Sequence, residues 1–464
     1  MTVPLGSLMP CGSCGWFSVT AMPSVTPPSN EIMAACVVDT MTALFTSCCK
    51  KEATNASLGL PPILKGAPKG RKLRAGLVGA GNRGTGAAIN FISAGPDLEI
   101  IAVCDVFQDK IDAFRERFKS FNLEIPEKNC FTGFDGYKKM MALEELDVVL
   151  LATPPRFRPD HLLEAILNKK HVFMEKPVAV DPVGIRSVIA SAKKAEALGL
   201  CIVTGTQRRH QEDYIETYKR VKAGAIGRPT AAKAFWNQDH VWFRTREAGW
   251  DDMTYMVRNW NNFCWLCGDH ILDTHIHNID VINWFMGKTP VNAIGNGGRH
   301  RRVTGDQYDF FNIDFDYGNG VSSHSYCREI DSCTNRTGEL VMGTEGYTNC
   351  VNTIWDLDGK VKWQFEYPKD ENGNAMNQLK IPAYVQEHMH LVHAIRKGEY
   401  VNQAEQTALS TLTAIMGRTA AYTGQLVTWE EMMKSDMQLG PKELVFGPVD
   451  MKFEVPVPGT PPNI

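Results

Sequence analysis

A long apolar run is missing from this chain of 464 residues. No stretch of about 18 uncharged apolar residues occurs, which argues against a transmembrane helix. An excess of either charge is also missing, because 49 basic and 52 acidic residues leave a net charge of −3. With no basic cluster and no long acidic block, nothing in the composition favours a nucleic-acid partner. The length instead suffices for two domains and a sizeable core.

The sequence also lacks a disulfide framework, since its thirteen cysteines are odd in number and scattered. Two pairs, Cys11/Cys14 and Cys264/Cys267, have the C-x-x-C spacing of zinc ligands without the usual surroundings of a zinc site. We therefore predict no metal site, and we expect the second pair to be small buried residues.

Basic residues are missing from the first 49 positions, which are rich in Ser, Thr, Pro and Met. Residues 1–70 are predicted to be a leader outside the fold. Within it, residues 41–51 resemble a lipoprotein signal that ends at a lipid-modified Cys48, with residues 53–70 as a tether. The missing basic n-region and the presence of Asp39 argue against export, so a disordered leader or a misassigned start codon is the alternative. We expect the cell envelope rather than the cytoplasm, with a membrane tether through Cys48 only.

What the chain does contain is a glycine-rich turn between two apolar segments. The run Gly79-Ala80-Gly81-Asn82-Arg83-Gly84 follows one apolar segment, and the second ends at Asp105. This is the strand–turn–helix–strand–acid order of a dinucleotide site. Gly79 lets the chain turn, Gly81 lets the backbone approach a pyrophosphate, and Gly84 lets helix and strand pack closely. Asn82 and Arg83 belong to the same turn and are expected to contact the cofactor.

Asp105 favours NAD over NADP as that cofactor. Its carboxylate is expected to accept hydrogen bonds from both ribose hydroxyls and to repel a 2′-phosphate, and residues 106–109 supply no arginine for that phosphate. Helical and apolar segments then alternate as far as Thr204, which predicts a doubly wound parallel α/β domain over residues 71–204. Thr153 and Pro154 follow a buried strand at the edge where cofactors bind.

The second informative element is Glu175-Lys176-Pro177, directly after another predicted strand. A lysine at the end of a buried strand is in a costly place unless it meets a ligand or a carboxylate. We therefore predict that Glu175 and Lys176 lie at the cofactor. The alternative is a solvated lysine in a turn.

The third element is a predicted helix over residues 269–287, with Asp269 as N-cap and Gly287 as its stop. Five side chains share one stripe of this helix: His270, Asp273, His277, Asp280 and Trp284. A histidine with a carboxylate one turn earlier is a workable general base, so Asp273 is predicted to orient His277. The alternatives are buried polar residues that satisfy one another, or a divalent metal held by His270, Asp273 and His277.

Together these elements resemble the glucose–fructose oxidoreductase/inositol dehydrogenase/MocA (Gfo/Idh/MocA) family over residues 72–425. The resemblance implies that Lys176 reaches the reacting hydroxyl beside the nicotinamide, and that His277 acts as base between Asp273 and Asp280. Three further segments look like a bacterial carbohydrate-active subgroup, many of whose members are exported: residues 205–210, 258–260 and 414–424.

The family fold implied is an N-terminal Rossmann domain followed by a substrate-binding α/β domain over residues 205–430. That second domain is expected to contain an open, mostly antiparallel sheet, with a C-terminal tail at 431–464. Four segments read as strands of that sheet: 233–237, 309–317, 320–328 and 339–342. The family further implies a homo-oligomer.

Six of the ten tryptophans lie between Trp236 and Trp284, which favours a polyhydroxylated ring as substrate, since sugar C–H faces stack on indoles. The candidate substrate-binding residues are Trp236, Arg258, Trp260, His270 and Asp280. We expect His277 to take the proton of a secondary ring hydroxyl held by Lys176, with hydride transfer to NAD. The resemblance favours C3 of a glucoside-like ring.

Two alternatives remain open. One is a glycoside hydrolase that uses tightly bound NAD in a transient redox cycle, with Tyr255, His240 or His270 as an additional acid/base. The other is a non-catalytic protein that binds a sugar or a dinucleotide, although such a module has no need for both Lys176 and His277.

Overall fold

The computed structural model describes residues 58–66, 68–369 and 381–459. The predicted lipoprotein signal at Cys48 and the pair Cys11/Cys14 lie outside the described residues. None of the helices in the described ranges is both long and apolar enough to cross a membrane.

The first domain is built on a six-stranded sheet in which all neighbouring strands run parallel. Its strands are β1 (Leu73–Val78), β2 (Leu98–Asp105), β3 (Cys130–Thr132), β4 (Val148–Leu151), β5 (His171–Met174) and β6 (Ile202–Thr204), in the order β3-β2-β1-β4-β5-β6. The crossover helices are α1 (Asn82–Ile92), α2 (Gln108–Lys119), α3 (Gly136–Met141), α4 (Arg158–Leu167) and α5 (Pro182–Ala197). Strand β4 is buried along its whole length because helices cover both faces of the sheet. The predicted doubly wound fold is confirmed.

The second domain contains a nine-stranded sheet in the order β14-β13-β12-β11-β7-β10-β9-β8-β15. Its strands are β7 (Pro229–Gln238), β8 (Asn292–Gly298), β9 (Phe310–Asp316), β10 (Ser322–Glu329), β11 (Arg336–Gly343), β12 (Tyr347–Thr348), β13 (Thr353–Trp355), β14 (Val361–Gln364) and β15 (Val427–Thr428). Its neighbours are antiparallel except for β7 and β10. The predicted open, mostly antiparallel sheet is therefore confirmed.

The helices of the second half are α6 (Glu212–Lys222), α7 (Asp252–Arg258), α8 (Cys264–Cys267), α9 (His270–Asp273), α10 (Ile276–Met286), α11 (Ala383–Lys397), α12 (Ala404–Thr423) and α13 (Trp429–Lys434). Helices α10 and α12 pack on the second sheet. Helix α11 instead returns to the first domain, where Met389, Leu391 and Val392 join the core around β1. The first domain thus takes part of its core from a segment far along the chain.

Residues 435–459 of the predicted C-terminal tail make contacts with both domains. Leu439 donates its N–H to Asp181 of the first domain at 2.8 Å, and Val449 donates its N–H to Asp252 of α7 at 3.1 Å. Between these points, the Phe446 ring packs against Phe107 of the first domain. The tail therefore contacts both domains beside the loop that follows β2.

Candidate active site

The glycine-rich turn joins β1 to α1 and has the geometry of a pyrophosphate site. Gly79 has a φ of 97°, and a Cβ there would lie 2.8 Å from the Ala152 carbonyl carbon. A Cβ on Gly84 would lie 1.8 Å from the Gly79 oxygen, whereas one on Gly81 would meet no atom of the described residues within 4 Å. Helix α1 begins at Asn82, which leaves its first N–H groups available to an anion. The turn therefore fits the phosphates of a dinucleotide.

Asp105 ends β2, where a ribose-binding acid is expected. Its carboxylate accepts hydrogen bonds from the N–H groups of Ala80 at 2.7 Å and Phe107 at 3.0 Å. Burial raises the pKa of Asp105 above its ordinary value, while these two N–H groups lower it. Because Ala80 belongs to the glycine turn, the Asp105 carboxylate lies next to the phosphate site, as the adenosine ribose requires.

Thr153 and Pro154 follow β4 at the same edge of the sheet. The Thr153 hydroxyl lies 3.2 Å from Nδ1 of His161 on α4. Burial lowers the pKa of His161 to about 3, so its ring is neutral at physiological pH. This contact fixes the loop after β4 on the cofactor side of the sheet.

The segment predicted as a single helix over residues 269–287 is broken, which corrects that prediction. Helix α9 ends at Asp273, and α10 begins at Ile276. In a continuous helix the Asp273 carbonyl would accept the N–H of His277, but here it accepts a hydrogen bond from Nζ of Lys176 at 2.5 Å. The break therefore gives the lysine after β5 a fixed position beside the helix that carries His277.

Asp273 thus acts on the site through its backbone. Its carbonyl orients Lys176, whereas the sequence pattern predicts that its carboxylate orients His277. The two functions involve different atoms, so the function of the carboxylate stays a prediction.

His277 is buried among positive charges. Burial lowers its pKa well below the ordinary value, and the charges of Lys176, Arg208 and Arg83 lower it further. The ring of Trp236 lies nearly parallel to the imidazole, with 5.9 Å between the two ring centroids. His277 is therefore neutral at physiological pH, the form that can accept a proton.

Arg83 lies at the centre of a charged cluster. Its Nε lies 2.5 Å from Oε1 of Glu175, and its Nη2 lies 3.6 Å from Oε1 of Glu387. The guanidinium carbon lies 4.6 Å from the centre of the Tyr384 ring. The Glu387 side chain is fully buried, and this burial, together with the charge of Glu175, raises its pKa well above the ordinary value. The cluster ties the glycine turn to the strand end that carries Lys176.

Sequence reasoning missed four side chains of this neighbourhood: Arg208, Glu339, Tyr384 and Glu387. Arg208 lies within the segment 205–210 that the sequence singled out, and its guanidinium pairs with the buried Glu339 carboxylate. Tyr384 and Glu387 stand three residues apart near the start of α11, so they share one helix face. This spacing is the one feature of the local sequence that indicates that Tyr384 and Glu387 act together.

Two of the predicted substrate-binding residues lie in buried networks. The Asp280 carboxylate accepts hydrogen bonds from Arg209 at 2.7 and 2.9 Å and from Ser410 at 2.8 Å. Nδ1 of His270 lies 3.1 Å from Oε1 of Glu329, and both side chains are almost completely buried. Buried charges are costly without partners, so these interactions account for both residues without a substrate.

The other three predicted substrate-binding residues lie in different surroundings. Trp236 lies against His277, as described above. Trp260 makes an edge-to-face contact with Trp242, at 6.1 Å between centroids. Arg258 pairs with Asp109 at 2.6 Å, and its guanidinium lies 3.9 Å over the ring of Phe107. The structure therefore places Arg258 against the loop that follows β2, and its function in substrate binding stays a prediction.

The two proposed additional acid/base residues outside the helix differ in their surroundings. The hydroxyl of Tyr255 lies 2.8 Å from that of Thr304. His240 is held through its backbone N–H, which donates to Asp331 at 2.8 Å, whereas Nε2 of its ring is buried and has no hydrogen-bond partner among the described residues. Within the described ranges, no group of three or more His, Cys, Asp and Glu side chains is placed to hold a metal ion. Cys264 and Cys267 are both buried.

A cavity of about 560 Å³ opens on the side of α10 where Asp280 is held. Arg209, Trp284 and Ser410 contribute to its walls. Lys176 and His277 are not among the described residues that line it. The cavity is therefore a feature separate from the lysine–histidine pair.

A parallel sheet with an open glycine turn and an acid after its second strand defines a dinucleotide-binding protein. Residues 73–204 match the family model described as "Oxidoreductase family, NAD-binding Rossmann fold", and residues 214–348 match the "GFO/IDH/MocA C-terminal domain". These matches cover more than half of the chain, which therefore belongs to the Gfo/Idh/MocA oxidoreductase family. The predicted family and the predicted NAD cofactor are confirmed.

Curated relatives carry names of sugar and polyol enzymes. The scyllo-inositol 2-dehydrogenase (NAD(+)) of Bacillus subtilis is 23% identical over 228 residues, which cover 49% of this chain and 57% of that protein. The D-glucoside 3-dehydrogenase of Escherichia coli is 25% identical over 233 residues, which cover 50% of this chain and 59% of that protein. The chain thus spans less than two thirds of the length of these relatives.

A shorter match and a solved structure complete the comparison. A glycosyl hydrolase family 109 protein of Streptomyces coelicolor is 32% identical over 109 residues, which cover 24% of this chain and 23% of that protein. The scyllo-inositol dehydrogenase of Lactobacillus casei, solved with NAD(H) and scyllo-inositol, superimposes with a TM-score of 0.57 at 20% identity, covering 77% of this chain and 99% of that one. This likeness shows that the two proteins share a fold.

Proposed function

We propose that this protein is an NAD-dependent dehydrogenase that oxidises a secondary ring hydroxyl of a sugar or polyol. The observation that carries the proposal is that Lys176, held by the Asp273 carbonyl, lies close enough to a buried, neutral His277 for its charge to lower the pKa of that histidine. Both groups lie next to the cluster around Arg83, which belongs to the pyrophosphate turn. A module that only binds a sugar or a dinucleotide has no need for this pair.

The chain's own residues supply positioning and proton transfer. Lys176, held by the Asp273 carbonyl, donates a hydrogen bond to the substrate oxygen, and Nε2 or Nδ1 of His277 accepts the hydroxyl proton. NAD, when bound, accepts the hydride that leaves the carbinol carbon. The positive charges around His277 favour the alkoxide-like oxygen that develops as the proton leaves.

A more specific form of the proposal concerns the substrate and the position oxidised. The name of the Escherichia coli relative supports C3 of a glucoside, whereas the name of the Bacillus subtilis relative supports the ring of an inositol. The Trp236 ring beside His277 offers an apolar face to the C–H side of either ring. We favour C3 oxidation of a glucoside-like ring.

The test is an assay of the full chain with NAD and a panel of glucosides and inositols. The formation of NADH is monitored by the absorbance of reduced nicotinamide. Replacing the base in His277→Asn is expected to lower kcat by roughly 10²- to 10⁴-fold while NAD affinity is retained. The matched control is His324→Asn, because His324 is an exposed histidine on β10 that pairs with Asp314. Unchanged turnover in His277→Asn would contradict the proposed base.

A second candidate function is glycoside hydrolysis through a transient redox cycle of retained NAD. The match to the Streptomyces coelicolor glycosyl hydrolase family 109 protein favours it. An envelope location, which the leader predicts, would favour it too, because little free NAD is available outside the cytoplasm. The same assay separates the two functions: stoichiometric NADH with a keto-sugar indicates the dehydrogenase, and free sugar without net NADH indicates the hydrolase.

A further inference from the structure

Arg258 joins the two domains at the cofactor edge. It ends α7 of the second domain, and its guanidinium forms a two-pronged pair with Asp109, which stands 149 residues earlier in α2. Nη2 donates to Oδ1 at 2.6 Å, and Nη1 donates to Oδ2 at 3.1 Å. The guanidinium also stacks over the ring of Phe107 at 3.9 Å. These contacts fix the arginine in one position.

The Arg258 guanidinium thereby lies near Asp105, the acid that is expected to bind the adenosine ribose. Phe107 lies two residues after Asp105, and its N–H donates to the Asp105 carboxylate at 3.0 Å. In dinucleotide folds, an arginine near this acid accommodates the 2′-phosphate of NADP. Residues 106–109 contain no arginine, but the fold brings Arg258 to the same place from the second domain.

Asp109 keeps this arginine from acting as a phosphate ligand. Both terminal nitrogens of the guanidinium are engaged by the Asp109 carboxylate, and the hydrogen bond from Arg258 lowers the pKa of Asp109, so the acid stays ionised. The Arg258–Asp109 pair as a whole carries no net charge to attract a phosphate, whereas an unpaired arginine is a strong phosphate ligand.

We propose that Arg258 and Asp109 form a cofactor-selecting pair. In this pair Asp109 neutralises the charge of the guanidinium and occupies its two terminal nitrogens, so that the site takes NAD in preference to NADP. Removal of the Asp109 carboxylate then leaves Arg258 free to bind the 2′-phosphate. Asp105 remains in place and still disfavours that phosphate, so the preference is reduced without being reversed. The proposal rests on the NAD cofactor of the family and does not depend on the sugar chemistry proposed above.

The test is to measure the dissociation constants of NAD and NADP for the full chain by calorimetric titration without any sugar. Asp109→Ala is expected to lower the NAD-to-NADP affinity ratio by about tenfold, which corresponds to about 1.4 kcal/mol, since the freed guanidinium gains a charge-assisted hydrogen bond to the 2′-phosphate. Asp109→Ala combined with Arg258→Ala is expected to restore the ratio. Asp112→Asn, an acid one turn later on α2, serves as the matched control and should leave the ratio unchanged.

Two outcomes would overturn the proposal: an unchanged ratio in Asp109→Ala, or a lowered ratio that the added Arg258→Ala does not restore. Thermal unfolding of each variant checks that the fold is intact. If Asp109→Ala does not fold, Asp109→Asn removes the charge with a smaller change in shape and should lower the ratio in the same direction. Because no sugar enters the measurement, failure of the cofactor-selecting pair leaves the dehydrogenase proposal standing. Failure of the dehydrogenase assay likewise leaves the cofactor-selecting pair standing.

Discussion

At the scale of single residues, the charge around His277 decides whether it can serve as a base. The imidazole is buried with Lys176, Arg208 and Arg83 nearby, and all of these influences disfavour its protonated form. A base that was protonated at physiological pH could not accept the substrate proton. The same positive groups that keep His277 neutral also weaken it as a base, and they offset this by favouring a negatively charged substrate oxygen.

The pKa of His277 can be measured directly by NMR titration of the imidazole, with His277→Asn to assign its signal. We expect the titration midpoint of the wild-type protein to lie below the ordinary value of 6.5. Lys176→Met removes one positive charge and keeps most of the side-chain length, so the midpoint should rise in that variant. A wild-type midpoint at or above 6.5 would contradict the buried, positively charged environment.

At the scale of elements, local patterns predict the glycine turn, five of the six parallel strands and the main strands of the second sheet, whereas the three-residue strand β3 is too short to stand out. The continuous helix over residues 269–287 was wrong because distant partners compete for its backbone and side chains. Lys176, 97 residues away, takes the carbonyl of Asp273, and Ser325 lies 2.8 Å from Nε2 of His275 inside the break. A sequence pattern with period 3.6 contains no information about such partners.

The two glycines of the turn offer a matched pair of variants. Gly84→Ala should lower the free energy of unfolding by about 1–3 kcal/mol, because the new Cβ would overlap the Gly79 oxygen. Gly81→Ala should leave stability nearly unchanged but weaken NAD binding, because its Cβ points into space that is free of described atoms. Thermal unfolding and NAD titration of both variants check this. Undiminished NAD affinity in Gly81→Ala would show that the phosphates do not approach there.

At the scale of the whole molecule, the site draws on parts of the chain that local patterns cannot connect. Tyr384 and Glu387 come from α11, beyond the residues matched by either family model. The sequence neighbourhood of Arg258 predicts a substrate contact and contains no sign that the fold brings its guanidinium over the ring of Phe107. Each of these contacts depends on how the two domains and the tail pack, which is the part of the structure that sequence periodicity leaves open.

The tail offers a prediction at this scale. The Phe446 ring lies 6.1 Å from that of Phe107 and 5.2 Å from that of Phe134, beside the loop that follows Asp105. Phe446→Ala should increase the rate of NAD release by roughly 2- to 10-fold, since an aromatic contact contributes about 0.5–1.5 kcal/mol. Stopped-flow displacement of NAD measures the rate. Val445→Ala, an exposed neighbour, is the control, and equal rates in both variants would contradict a function of the tail in cofactor retention.

The return of α11 to the first domain has a consequence for synthesis. A ribosome makes β1–β6 long before it makes residues 383–397, and domains generally fold as they emerge. Until Met389, Leu391 and Val392 arrive, the apolar surface that they cover on the first sheet stays exposed. The nucleotide-binding half of this protein therefore completes its core only after β7–β14 of the second domain have been made, and Glu387, which lies beside Arg83, arrives with the same helix.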